Sequence, residues 1–103
     1  MKNNYVVLVE QYDDDYYGTG GGGYFYDDKL YEYPTYEKAE KGLWDYVRYL
    51  KRHCYRESQG DYEIIVENVY YPNARQIIIT VNNENDLYSN CWRITARKRL
   101  SSD

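Results

Sequence analysis

The sequence predicts an α+β domain in which a single helix packs on a mostly antiparallel sheet of about five strands. Three observations lead to this fold class. Short runs of β-branched and aromatic residues recur along the chain, helical periodicity is confined to one segment, and 103 residues suffice for one modest core. The expected element order is β-β-α-β-β-β, within a single domain of residues 1–103.

The first two predicted strands flank a segment rich in aspartate and glycine, which favours turns. The run Tyr5–Tyr12 is continuous enough for a position inside the sheet. The second strand extends from about Tyr24 to Tyr33. Within it, Asp27 and Asp28 indicate either a bulge or a tight turn.

The predicted helix starts after Pro34, with Thr35 at the N-cap position, and ends near Gly60. Acidic residues in its first turns and basic residues in its last turns suit the helix dipole. Gly42 permits a close backbone approach, at about 1 kcal/mol of helix propensity. The apolar stripe expected to pack on the sheet comprises Tyr36, Ala39, Leu43, Tyr46, Val47, Leu50 and Cys54.

The remaining predicted strands form a meander. They cover Tyr62–Tyr71, Gln76–Val81 and the segment from Cys91 to about Arg99. In the last strand, apolar and polar residues alternate, so we expect one of its faces to be buried. Only the end of the chain, residues 100–103, is expected to fray.

Charge is distributed in blocks of alternating sign along a chain whose formal net charge is −4. Residues 1–45 and 61–90 are net acidic, whereas residues 46–60 and 91–103 are net basic. This pattern indicates a molecule with distinct acidic and basic faces. No apolar run is long enough for a membrane span or a signal peptide, so a cytoplasmic location is expected.

Two sequence patterns resemble ligand-binding loops but lack an essential part. The glycines at 18, 20 and 23 have the spacing of a dinucleotide-binding loop, yet a strand-like acidic segment follows where a helix must begin. Asp13 and Asp15 have the spacing of calcium-loop ligands, yet Tyr24 occupies the position of the bidentate carboxylate. We therefore expect neither a cofactor nor a metal site.

Catalytic residues are also not apparent. His53 is the only histidine, and the adjacent Cys54 points about 100° away from it on a helix. Cys54 and Cys91 lack the spacing of a metal site and are expected to be reduced and partly buried. The sequence therefore predicts a protein without enzymatic activity.

The stretch of residues 11–28 is the main candidate for binding a protein partner. Tyrosine is enriched at interfaces, and spaced carboxylates can imitate the phosphate backbone of a nucleic acid. The chain has 16 tyrosines, more than its core can bury with satisfied hydroxyls, so several should be exposed. The candidate partner-binding residues are Asp13, Asp14, Asp15, Tyr16, Tyr17, Tyr24, Tyr26, Asp27 and Asp28.

Two alternatives remain open. The first is direct binding of single-stranded nucleic acid through arginines with nearby aromatic side chains, although the chain as a whole is acidic, with a pI near 5.0. The candidate residues for this alternative are Arg48, Arg52, Arg56, Arg93 and Arg97. The second is a homodimer that buries the surplus tyrosines.

The acidic, tyrosine-rich segments "DDDYY" and "YFYDDKLYEY", with one helix on a small sheet, give a profile that resembles small phage-encoded inhibitors of bacterial defence. Anti-CRISPR proteins are the nearest class. The resemblance covers the profile of the whole chain rather than an aligned motif. It implies a stoichiometric inhibitor without a cofactor, which binds the basic groove of a CRISPR effector or another nuclease as a nucleic-acid mimic.

Overall fold

The computed structural model describes residues 3–13, 24–58, 62–71, 74–83 and 90–100. It contains the elements β1 (Tyr5–Asp13), β2 (Tyr24–Tyr33), α1 (Tyr36–Ser58), β3 (Tyr62–Tyr71), β4 (Ala74–Asn83) and β5 (Asn90–Lys98). This order confirms the predicted α+β fold and its β-β-α-β-β-β sequence. The glycine-rich segment that resembles a dinucleotide-binding loop and residues 101–103 of the expected frayed end lie outside the described residues.

The five strands form one antiparallel sheet in the order β2-β1-β5-β4-β3. The first and last strands are therefore neighbours inside the sheet, which confirms the interior position predicted for β1. β2 and β3 form the two edges. Helix α1 connects these edges and crosses one face of the sheet, with most of its contacts to β5 and β1.

Alternation along the strands determines which side chains lie beneath the helix. Trp92, Ile94 and Ala96 of β5 are buried and belong to the core, as the predicted alternation requires. Arg93 lies between two of them in sequence and therefore points to the opposite, uncovered face. The other core side chains from the sheet are Val7, Val9, Ile77, Ile79 and Val81.

Helix α1 begins at its predicted cap. The backbone N–H of Lys38 donates to Thr35 Oγ1 at 3.3 Å, which satisfies one of the free amides of the first turn. The buried helix residues are Ala39, Leu43, Val47 and Leu50, all members of the predicted stripe. No helix within the described ranges is long and apolar enough to cross a membrane.

The uncertainty at Asp27 and Asp28 is resolved as a bulge. Val9 pairs with Lys29 and Glu10 pairs with Asp27, so Asp28 is an additional residue on β2. The strand continues through this point, which excludes the tight turn. A bulge bends an edge strand and leaves the extra residue unpaired, and Asp28 is exposed at this position.

Candidate functional site

The first candidate surface is the beginning of edge strand β2, residues Tyr24, Phe25, Tyr26, Asp27 and Asp28, which we call the acid–tyrosine strand. Eight of the ten residues of β2 are exposed. Tyr24 is 55% and Tyr26 40% exposed, and their rings meet edge to face at 6.5 Å. Tyr26 also donates its hydroxyl hydrogen to Gln11 Oε1 at 3.0 Å, which orients the ring.

The acid–tyrosine strand brings together four of the nine residues predicted to bind a partner. Tyr24 and Tyr26 point to the helix side of the sheet, and Asp27 points to the other side. Asp13 is opposite Tyr24 at the end of β1, where only its backbone is described. The four remaining predicted residues, Asp14, Asp15, Tyr16 and Tyr17, lie outside the described residues.

Arg93 is held by an internal pair on the uncovered face of the sheet. Its Nε and a terminal nitrogen donate to the two carboxylate oxygens of Glu10 at 2.8 and 2.7 Å, and its guanidinium lies 4.1 Å from the ring centre of Phe25. The hydrogen bonds with Glu10 are the main reason that the pKa of Arg93 is raised. An arginine that donates two hydrogen bonds to one carboxylate and stacks on a ring holds the strands together. It is therefore a poor phosphate ligand.

The arginines predicted for nucleic-acid binding do not form one surface. Arg48 and Arg52 are exposed on α1, whereas Arg93 and Arg97 point to the opposite face of the sheet. Arg97 donates to the carbonyl oxygen of Lys98 at 3.1 Å. Arg56 lies in α1, but its side chain is outside the described part of the structure. The helix and β5 therefore cannot contact one short strand together through this set.

The second candidate surface was not predicted. A groove of about 280 Å³ runs between β2 and α1, and we call it the tyrosine groove. Its lining residues are Tyr31, Tyr33, Gly42, Asp45, Tyr46 and Tyr49. It shares Asp45 and Tyr49 with an adjoining cavity of about 440 Å³, which is also lined by Arg48, Arg52 and His53.

Aromatic rings follow one another along the tyrosine groove. The ring centres of Tyr31 and Tyr46 are 6.0 Å apart, those of Tyr46 and Tyr49 are 5.7 Å apart, and Tyr49 and His53 are nearly parallel at 6.2 Å. The ammonium group of Lys29 lies 5.8 Å from the ring centre of Tyr46. Four rings from two elements thus form one row with a cation beside it.

The pKa shifts in the tyrosine groove favour neutral tyrosine hydroxyls and a charged lysine. Burial raises the pKa of Tyr46 and of Tyr33 above the ordinary value of 10.0. Tyr46, and then Tyr31, raise the pKa of Lys29 above 10.5. At neutral pH the groove therefore presents hydroxyl donors and one positive charge.

Gly42 makes the groove possible because it lets the ring of Tyr33 lie against the helix backbone. A Cβ at this position would overlap the hydroxyl end of the Tyr33 ring. The close backbone approach expected from the sequence is therefore made by a side chain of the edge strand. Glycine lowers the stability of the helix at this position, but it allows the ring of Tyr33 to pack against the helix.

We expect Gly42→Ala and Tyr33→Ala to be strongly coupled. With Tyr33 replaced by alanine, Gly42→Ala should raise the free energy of unfolding by about 1 kcal/mol, the difference in helix propensity. With Tyr33 present, that gain should be lost because the ring must leave its position. Urea unfolding of the four proteins measures the coupling. The same gain in both backgrounds would contradict the contact.

Potential metal ligands and thiols are the remaining candidate groups among the described residues. In these ranges no three histidine, cysteine or acidic side chains come together as metal ligands. Cys91 has a free, half-buried thiol beside Thr80 Oγ1, at 3.6 Å. The side chain of Cys54 is outside the described part.

Comparison with known proteins found no match among family models, curated proteins or solved structures.

Proposed function

We propose that this chain is a non-enzymatic protein-binding inhibitor. Its acid–tyrosine strand occupies a basic, nucleic-acid-binding site on a partner protein, such as a CRISPR effector or another nuclease in the cytoplasm of a bacterial host. The observation that carries the proposal is an edge strand with eight exposed residues, which presents two tyrosines and two aspartates within five positions. The profile resemblance to phage-encoded inhibitors points to the same class of partner.

The chemistry of the acid–tyrosine strand supports binding to a basic protein surface. In the described part of the chain, no salt bridge neutralises Asp27 or Asp28. Exposed, unpaired carboxylates attract a basic groove over several ångströms and raise the association rate. Tyr24 and Tyr26 add contact area with few rotors to immobilise.

The position of the strand in the sheet supports the same reading. β2 is an edge strand, so one row of its backbone groups has no strand partner within the described residues. Such an edge can accept hydrogen bonds from a partner while its side chains give specificity. The bulge at Asp28 prevents the edge from being flat, which discourages indiscriminate pairing with other strands.

The test is a titration of purified RNA-guided nucleases with this protein while target cleavage is measured. We expect inhibition to saturate near one inhibitor per nuclease and to weaken as salt rises. Asp27→Asn combined with Asp28→Asn should reduce the apparent affinity about tenfold, mainly through a slower association rate.

Glu67→Gln is the control for charge removed elsewhere: it removes one charge, against two in the Asp27/Asp28 variant, from an exposed residue of β3, at the opposite edge of the sheet. This variant should inhibit as well as the native protein. Equal loss of inhibition in the Glu67 and Asp27/Asp28 variants would show that only net charge matters. Absence of inhibition across a panel of such nucleases would reject the proposed function.

A further inference from the structure

We propose that the tyrosine groove and its adjoining basic cavity bind single-stranded nucleic acid, with bases on the aromatic rings and phosphates on the arginines. This site uses residues other than the acid–tyrosine strand. Nucleic-acid binding at this site can therefore be tested independently of the inhibitor function.

The aromatic row provides the stacking surface. Tyr31 is 39% and Tyr49 55% exposed, so both rings are accessible from solvent. Tyr31, Tyr46, Tyr49 and His53 follow one another at 5.7–6.2 Å between ring centres. Proteins that bind single strands without sequence preference stack successive bases on aromatic side chains in this manner. A row of four rings is long enough for the two or three bases that known aromatic platforms hold.

The charge around the groove selects a polyanion as the occupant. Arg48, Arg52 and Lys29 supply three positive charges, and Asp45 is the only carboxylate among the described lining residues. Asp45 forms a salt bridge with Arg48, and Asp28 partly offsets the charge of Lys29, so Arg52 is the main phosphate contact among the described lining residues. Arginine also stacks on nucleobases, so the cationic end suits both parts of a nucleotide.

A proline-rich peptide is the main competing occupant, since such peptides also bind aromatic-lined grooves. Proline-rich segments gain nothing from a positive rim, whereas a phosphate backbone does. The acidic charge of the whole chain does not prevent this binding. Among the acids of β2, Asp28 acts on Lys29 and Tyr46, whereas Glu32 points to the opposite face of the sheet and is paired with Arg99.

The experiment measures fluorescence anisotropy of a labelled short oligothymidylate with the intact protein at low salt. We expect saturable binding that weakens as salt rises. Tyr49→Ala should weaken it about tenfold through lost stacking. Tyr71→Ala is the matched control, because Tyr71 is 52% exposed on the far edge strand, and this variant should bind like the native protein.

A second pair of variants tests the phosphate contacts. Arg52→Gln should reduce the slope of log affinity against log salt by about 0.7, the value for one phosphate contact to a single strand. Lys51→Gln removes the same charge from the neighbouring position, which points about 100° away around the helix, and should leave the slope unchanged. Circular dichroism of each variant verifies that the fold is retained.

Four results would overturn the inference. These are no binding at low salt, equal losses in the Tyr49 and Tyr71 variants, and displacement of the oligonucleotide by polyglutamate as readily as by unlabelled oligothymidylate. The fourth is binding of a polyproline peptide in the groove in place of the oligonucleotide.

Discussion

Leu43→Ala is expected to lower the free energy of unfolding by about 3 kcal/mol, a large part of the stability of a domain of this size. Leu43 is fully buried at the centre of the helix face that contacts the sheet. Truncation removes three carbon atoms and leaves a cavity that the rigid sheet beneath cannot fill. Urea unfolding followed by circular dichroism measures the loss.

Leu30→Ala provides a matched control for Leu43→Ala. Leu30 is the same residue type but is 42% exposed on edge strand β2. It has few neighbours to lose, so its truncation should cost less than about 1 kcal/mol. Similar losses for the two leucines would contradict the assignment of the core to the helix side of the sheet.

Glu10→Gln is expected to destabilise the protein by about 2 kcal/mol. Glu10 is almost fully buried between β2 and β5, and both of its carboxylate oxygens accept from Arg93. The substitution removes the charge that balances Arg93 while the guanidinium stays over Phe25. About a third of the Arg93 side chain is exposed, so water can solvate the guanidinium after its partner is removed. The loss of stability is therefore smaller than for a fully buried ion pair.

The double variant Glu10→Leu with Arg93→Met distinguishes pairing from packing. Replacing both partners by apolar residues removes the attraction and the desolvation together, so it should cost much less than Glu10→Gln alone. Urea unfolding of the three proteins makes the comparison. A double variant less stable than Glu10→Gln would show that the pair itself contributes net stability.

Local sequence patterns were sufficient to predict the elements of this fold. The alternation in β5 and the helical spacing of Ala39, Leu43, Val47 and Leu50 each depend on neighbours within a few positions. Strand order is different, because the pairing of Tyr5 with Lys98 joins opposite ends of the sequence. No local pattern encodes that contact, so the sequence predicted a five-strand sheet but not its order β2-β1-β5-β4-β3.

The candidate sites were predicted only in part, for the same physical reason. Tyr24 to Asp28 could be identified because their residue types are concentrated within one segment. The tyrosine groove combines Tyr31 and Tyr33 of an edge strand with Tyr46 and Tyr49 of a helix. From its spacing in the sequence, Tyr46 was assigned to the helix stripe that packs on the sheet, so it was not recognised as part of a surface groove. The available signal was Gly42 beside that stripe, which indicated a close approach but not the identity of the approaching group.

The adjacency of β1 and β5 has a consequence for synthesis on the ribosome. Until β5 emerges, the described strands can pair only as the β1–β2 and β3–β4 hairpins, and these cannot join because the strand between them is missing. α1 precedes β3 in the chain, but most of its contacts with the sheet are to β5 and β1. Without β5 the helix therefore cannot cover the apolar face completely, and each hairpin also has an inner strand edge that is open to other chains. Contacts so distant in sequence also form slowly. Aggregation during synthesis will therefore be most sensitive to substitutions that delay the insertion of β5.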